Sequence, residues 1–129
     1  MVVLDVSCSV DRKELLTQIG QINSLLKELE FRGSIISFGS SVYQEARLSD
    51  RTSLRMFIDG LEAGGGTNWD DVVDYVRQKK QHAKPIIVFT DGYFYNFPKG
   101  LSNVIFIVRN ECPEALHKLG KVIKINLKQ

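Results

Sequence analysis

Met1-Val2-Val3-Leu4-Asp5-Val6-Ser7-Cys8-Ser9 decides how this chain is to be read. An unbroken apolar run at the start is what a strand shows when helices cover both of its faces. The run ends in Asp5, Ser7 and Ser9, spaced two apart, so their side chains can turn toward one point above the strand end. In an open α/β sheet, ligands bind outside the carboxyl ends of the strands, where strand order reverses. An aspartate and two hydroxyls at such a place suit a hard cation.

Two more segments carry the same signal. Gly64-Gly65-Gly66 leads into Thr67-Asn68, and Pro85-Ile86-Ile87-Val88-Phe89 leads into Thr90-Asp91-Gly92. Glycines let the backbone approach an ion closely. Thr67 then stands beside a helix N-terminus, where partial positive charge favours anions. The candidate metal ligands are therefore Asp5, Ser7, Ser9, Thr67 and Asp91, with Mg²⁺ or Mn²⁺ as the ion. Mg²⁺ keeps several waters in an octahedral shell, so the aspartates can act through water. Hydroxyls bring no charge. An ion held mainly by Ser7, Ser9 and Thr67 stays under-neutralised and favours an incoming carboxylate.

Between these segments, strand-like and helix-like stretches alternate, the pattern of βαβ units and a mainly parallel sheet. Leu15, Leu16, Ile19, Ile22, Leu25, Leu26 and Leu29 recur at helical spacing. Asp11 with Glu14 reads as a capping box before them, and Gly33 as a C-terminal glycine after them. Ile35–Phe38 and Val42–Leu48 flank Gly39-Ser40-Ser41 as a hairpin, whose polar second strand fits an antiparallel edge. A short helix follows Asp50, and another follows Asn68, its expected N-cap. Ile86–Phe89 and Val104–Val108 read as central strands, Pro113–Leu119 as a short helix, and Val122–Leu127 as an outer strand. The expected fold is a doubly wound α/β sheet of six strands, mainly parallel with one antiparallel edge, and helices on both faces.

The chain has 129 residues, 43% hydrophobic and 25% charged, with a net charge of +2. That is the size and composition of one globular domain, here taken as 1–129. No apolar run approaches the roughly 20 residues that cross a bilayer, and no signal peptide opens the chain. The charge calls for neither nucleic acid nor membrane. Cys8 and Cys112 follow different strands with another expected between them, too far apart for a disulfide. Reduced thiols and a cytoplasmic setting are expected.

In order along the chain, D-x-S-x-S, G-G-G-T and T-D-G resemble the metal-ion-dependent adhesion site of von Willebrand factor A-type (VWA) domains, and the resemblance covers essentially the whole chain. Gly65-Gly66-Thr67, and Thr90-Asp91-Gly92-Tyr93 with Phe97-Pro98, resemble more closely a bacterial and phage VWA-like family. Its domain commonly follows a metallopeptidase-like region; this sequence has no H-E-x-x-H, and His82 and His117 are isolated. The resemblance implies that Ser7 and Ser9 bind the ion directly, Asp5 and Asp91 mostly through water, and Thr67 in either way. Three positions depart from the pattern. Cys8 stands where glycine is usual, and Gly39 and Asn68 stand where many relatives carry aspartate.

The function implied is a non-enzymatic, metal-dependent protein-interaction module whose Mg²⁺ captures an exposed Asp or Glu of a partner. A phosphatase-like hydrolase using Asp5 as nucleophile is one alternative, though no second aspartate, His or Lys is positioned to serve it. A structural domain with a vestigial site is the other. Taken singly, Ser7, Ser9 and Thr67 would more often cap helices; their convergence is what favours ligation. Tyr93, Phe94, Tyr95 and Phe97 can rim the site or pack beneath their own loop, while Trp69 reads as helix packing. Tyr93, Phe94 and Trp69 are candidates to exclude water from the partner contact. Lys79, Lys80 and Lys84 read as a solvated helix end.

Overall fold

The computed structural model describes residues 1–7, 12–28, 33–62, 64–79, 84–94, 96–97, 100–108 and 112–124. The strands are β1 (Val2–Asp5), β2 (Gly33–Phe38), β3 (Val42–Leu48), β4 (Ile86–Phe89), β5 (Val104–Val108) and β6 (Lys121–Lys124). The helices are α1 (Arg12–Glu28), α2 (Arg51–Asp59) and α3 (Trp69–Gln78), with a short 3₁₀ segment at Glu114–Lys118. The six strands lie in one sheet in the order β3-β2-β1-β4-β5-β6. Every pairing is parallel except β2 with β3, so the antiparallel strand is an edge as its polar sequence predicts.

All four residues of β1 are buried, as a strand flanked on both sides and covered on both faces must be. Side-chain parity divides the core. Val3, Ile36, Phe38, Val88 and Phe106 face α3, packing with Trp69, Val72, Val73 and Val76. Val2, Leu4, Ile35 and Phe89 face the other way, toward Ile22 of α1 and Leu54 and Phe57 of α2. The helices therefore sit on both faces, which makes the sheet doubly wound.

Strand order reverses at β1, whose neighbours are β2 on one side and β4 on the other. In a doubly wound sheet the ligand crevice lies outside the carboxyl ends of the strands at this switch point, here β1 and β4. Register completes the placement. Leu4 pairs with Phe89, so one step further Asp5 lies beside Thr90.

One local expectation is corrected: Gly33 does not end α1; it opens β2 opposite Leu48. Asn68 occupies the expected N-cap position of α3, without a side-chain capping bond. Its backbone N–H instead reaches the Gly39 carbonyl at 2.7 Å. The effective cap is Asp50 on α2, whose carboxylate accepts the Ser53 N–H at 2.8 Å while the Ser53 hydroxyl accepts the Asp50 N–H. Asp11, the first residue of the proposed capping box, lies outside the described residues, as do Ser9, Cys8 and Tyr95.

Candidate metal centre at the carboxyl ends of β1 and β4

Asp5 anchors the crevice. Its side chain is fully buried, and both carboxylate oxygens are engaged. Oδ1 accepts the Ser7 hydroxyl at 2.6 Å and the Ser7 N–H at 2.9 Å. Oδ2 accepts the Thr90 hydroxyl at 2.5 Å, bridging β1 and β4. Burial pushes the Asp5 carboxyl up to about 6, against the opposing pull of the Ser7 and Thr90 hydrogen bonds; the charge of Asp91 adds to the rise. These are the forces expected on a carboxylate held in a low-dielectric pocket beside a second acid.

Ser7 is 2% exposed. Its hydroxyl proton is donated to Asp5, so any further bond at its oxygen is one that it accepts. This arrangement suits a serine that offers oxygen to a cation while a carboxylate behind it carries the charge.

Thr67 arrives on the glycine loop, tied at both ends to the strand tips. The Gly64 N–H donates to Val6 O at 2.7 Å, and the Asn68 N–H donates to Gly39 O at the same distance. Gly64 and Gly65 have φ of 104° and 79°, left-handed conformations that a residue with a Cβ rarely adopts. Thr67 is 3% exposed.

Asp91 follows β4 and accepts the Tyr93 N–H at 3.1 Å, closing a tight turn through Gly92 at φ 85°. The Gly92 N–H bonds the Thr90 hydroxyl at 3.0 Å, so Thr90 donates to Asp5 and accepts from the turn that bears Asp91. Thr90 stands in the T-D-G motif without a role of its own in the sequence; the strand register, which only the structure supplies, puts it level with Asp5.

The aromatic residues resolve into two groups. Trp69 and Phe94 stack at 5.1 Å between centroids with planes 2° apart, and Phe38 and Phe106 meet them edge-on or tilted. Trp69 is thus helix packing, as expected. The expectation that Phe94 and Trp69 shield a partner contact is corrected, for both lie in the core. Tyr93 alone of the three is exposed, at 56%. The stack joins the loops on either side of the crevice, since Trp69 follows Thr67 and Phe94 follows Asp91. An Asn96 Nδ2 bond to Asp70 at 2.7 Å adds to the same clamp.

Among the described residues, no three His, Cys, Asp or Glu side chains are grouped as a metal cluster. The candidate shell draws instead on hydroxyls. The fold places the segments bearing Asp5, Ser7, Thr67 and Asp91 at one end of the sheet; Ser9 lies outside the described residues.

Solved structures share this fold. The chain superposes on the SpRpn10 VWA domain with a TM-score of 0.70 at 12% identity, covering 97% of this chain and 86% of that one. An aerotolerance-related membrane protein from Bacteroides fragilis gives 0.70 at 17% identity over 98% and 90% of the two chains. A von Willebrand factor type A protein from Catenulispora acidiphila gives 0.66 at 16% identity over 97% of this chain and 38% of that one. No curated protein matches the chain in sequence. Residues 1–126, however, match the family described as VWA-like domain (DUF2201), and the chain belongs to that family.

Proposed function

We propose that this VWA-like domain is a metal-dependent protein-interaction module. Ser7, Ser9 and Thr67 would hold a Mg²⁺ or Mn²⁺ ion, with Asp5 and Asp91 acting largely through water, and the ion would capture an exposed Asp or Glu of a partner protein. The observation that carries this reading is the Asp5–Ser7–Thr90 arrangement. A fully buried carboxylate accepts two hydroxyl protons and an N–H, which turns the Ser7 proton toward Asp5 and leaves its oxygen in the role of acceptor at the tip of β1. When bound, the ion would supply a Lewis-acidic position for a carboxylate oxygen. The chain's own part is to fix the hydroxyls, bury the charge behind them, and exclude water from the floor of the crevice.

Asp5 does not suit the hydrolase alternative. A nucleophile must reach its substrate, and this carboxylate is buried with both oxygens bonded. The VWA-like family is also generally one of interaction modules. No described helix is long and apolar enough to cross a membrane. With the two thiols expected to be reduced, we place the domain in the cytoplasm.

Calorimetric titration with Mg²⁺ and Mn²⁺ tests the ion, with affinity expected in the millimolar to sub-millimolar range because Gly39 and Asn68 contribute no charge. A ligand that binds only the folded state at a hundredfold excess over Kd adds about 2.7 kcal/mol of stability, so melting should rise with metal and fall back with chelator. Pull-down with metal-loaded and chelated protein then tests partner capture. Silence in both titrations would leave a structural domain with a vestigial site.

A further inference from the structure

We infer that Tyr43 is a positioning residue for the glycine loop that carries Thr67. It belongs to no motif noted in the sequence. Phe38 pairs with Val42 and Ser37 with Gln44, so Tyr43 is the extra residue of a β-bulge in the edge strand. Bulges commonly re-aim a side chain next to a functional site. Here the ring packs against the α1–α2 side of the core, and the hydroxyl reaches the turn and the loop together.

The bonding assigns a direction to each proton. The Tyr43 hydroxyl donates its one proton to Gly64 O at 3.0 Å. It accepts the Ser40 N–H at 3.0 Å. The Ser40 hydroxyl, 2.9 Å away, must then be the donor in its pair, because a phenol has only one proton to give. Tyr43 thus straps the β2–β3 turn to the first residue of the glycine loop. The Gly64 N–H on Val6 and the Asn68 N–H on Gly39 tie the same loop to the ends of β1 and β2.

Two glycines make room for this strap. A Cβ at Gly39 would lie 2.6 Å from both the Tyr43 hydroxyl and Gly64 O, and a Cβ at Gly65 would lie 2.4 Å from that hydroxyl. Gly39 therefore has no room for a side chain, which accounts for the missing aspartate at that position. A neutral hydroxyl occupies the space and holds the loop without adding charge. Its effect on the ion would come through where it sets Thr67.

The inference rests on the metal reading for its consequence at the ion, but on geometry alone for the loop. Tyr43→Phe removes the hydroxyl and keeps the ring. Hydrogen exchange in chelator should show the Gly64 and Asn68 amides exchanging about tenfold faster in this variant than in wild type. Melting in chelator should stay within about 5 °C of wild type. Mn²⁺ titration should show affinity weakened by about tenfold, the scale of a lost outer-shell partner. Ser40→Ala, which keeps the Ser40 N–H and the bond to Gly64, should remain close to wild type in all three. Unchanged exchange at Gly64 and Asn68 overturns the inference, as does a fall in melting beyond 5 °C, which would make Tyr43 a core residue. If the loop loosens while Mn²⁺ affinity does not change, Tyr43 does not position the metal site. Faster exchange together with no Mn²⁺ binding by wild type would uphold the strap and sink the metal reading instead.

Discussion

Asp5 and Ser7 are held by hydrogen bonds of 2.5 to 2.9 Å among themselves and Thr90, whereas the loops bearing Thr67 and Asp91 are joined to each other by the stacked rings of Trp69 and Phe94. The two supports do different work. Hydrogen bonds are directional, so they orient oxygen lone pairs at the tip of β1 while adding little bulk. Ring stacking is less directional but buries a large area, so it sets how far apart the two loops stand. A site assembled from one strand tip and two loops needs both, because lone-pair direction is useless if the third hydroxyl is displaced. The largest effects should come from the clamp and finer ones from the network.

Trp69→Ala and Phe94→Ala should each destabilise the fold by about 3–5 kcal/mol, the usual result of emptying a large aromatic site in a core. Chemical denaturation with and without Mg²⁺ measures both parts of the effect. The metal-dependent rise should vanish with either variant, although neither residue offers an oxygen to the ion. A full metal response in either variant would show that the clamp does not set the loop spacing.

Asp5 is fully buried, so replacing it acts on the fold as well as on the site. Asp5→Asn keeps the shape but turns one acceptor into a donor, facing hydroxyls that already donate to it, and should cost about 1–3 kcal/mol while abolishing the metal response. It also carries a pH signature. The folded carboxyl is raised to about 6, so in chelator the wild type has the full benefit of this group below about 4 and loses it as pH rises through 6. The loss should amount to roughly 2–3 kcal/mol across that window. Denaturant midpoints between pH 4 and 7 should decline in wild type relative to Asp5→Asn. Parallel curves for the two proteins would remove Asp5 as the source.

Thr67→Val tests the loop at nearly constant volume. The methyls keep most of the packing of a residue 3% exposed and only the hydroxyl is lost, so stability should change by about 1 kcal/mol while the metal response and partner capture fall together. If Mn²⁺ affinity survives this change, Thr67 is structural and the shell is completed elsewhere.

The sequence made the fold legible because its period-2 and period-3.6 patterns do not overlap. β1 and β4 are unbroken apolar runs that could only be covered on both faces, and Gln44, Glu45 and Arg47 marked the edge strand. The ligand candidates were legible for a similar reason, as each closes a strand or a glycine run. Thr90 was not, because its part depends on register between strands far apart in the chain. Tyr43 was hidden by the bulge, since strict alternation gives no sign that an extra residue re-aims its side chain. Asn68 holds the N-cap position its residue type suggested, but residue type does not disclose that its side chain makes no capping bond and that its backbone N–H reaches Gly39.

The smallest expected effect separates two neighbours. Tyr93 and Phe94 are adjacent aromatics after Asp91, yet Phe94 is buried in the clamp and Tyr93 is 56% exposed. The one described bond that ties Tyr93 to the turn is from its backbone N–H to Asp91, which alanine would preserve. Tyr93→Ala should therefore change stability by no more than about 0.5 kcal/mol and leave the metal response as it is. An exposed aromatic beside a charged contact can still anchor a partner by burying its ring and drying the neighbouring ion pair. Partner affinity, measured on the metal-loaded protein, should then fall several-fold in Tyr93→Ala with the melting curve unmoved. A melting loss as large as that of Phe94→Ala would instead mean that both rings serve the clamp, and that the crevice rim offers a partner only the ion.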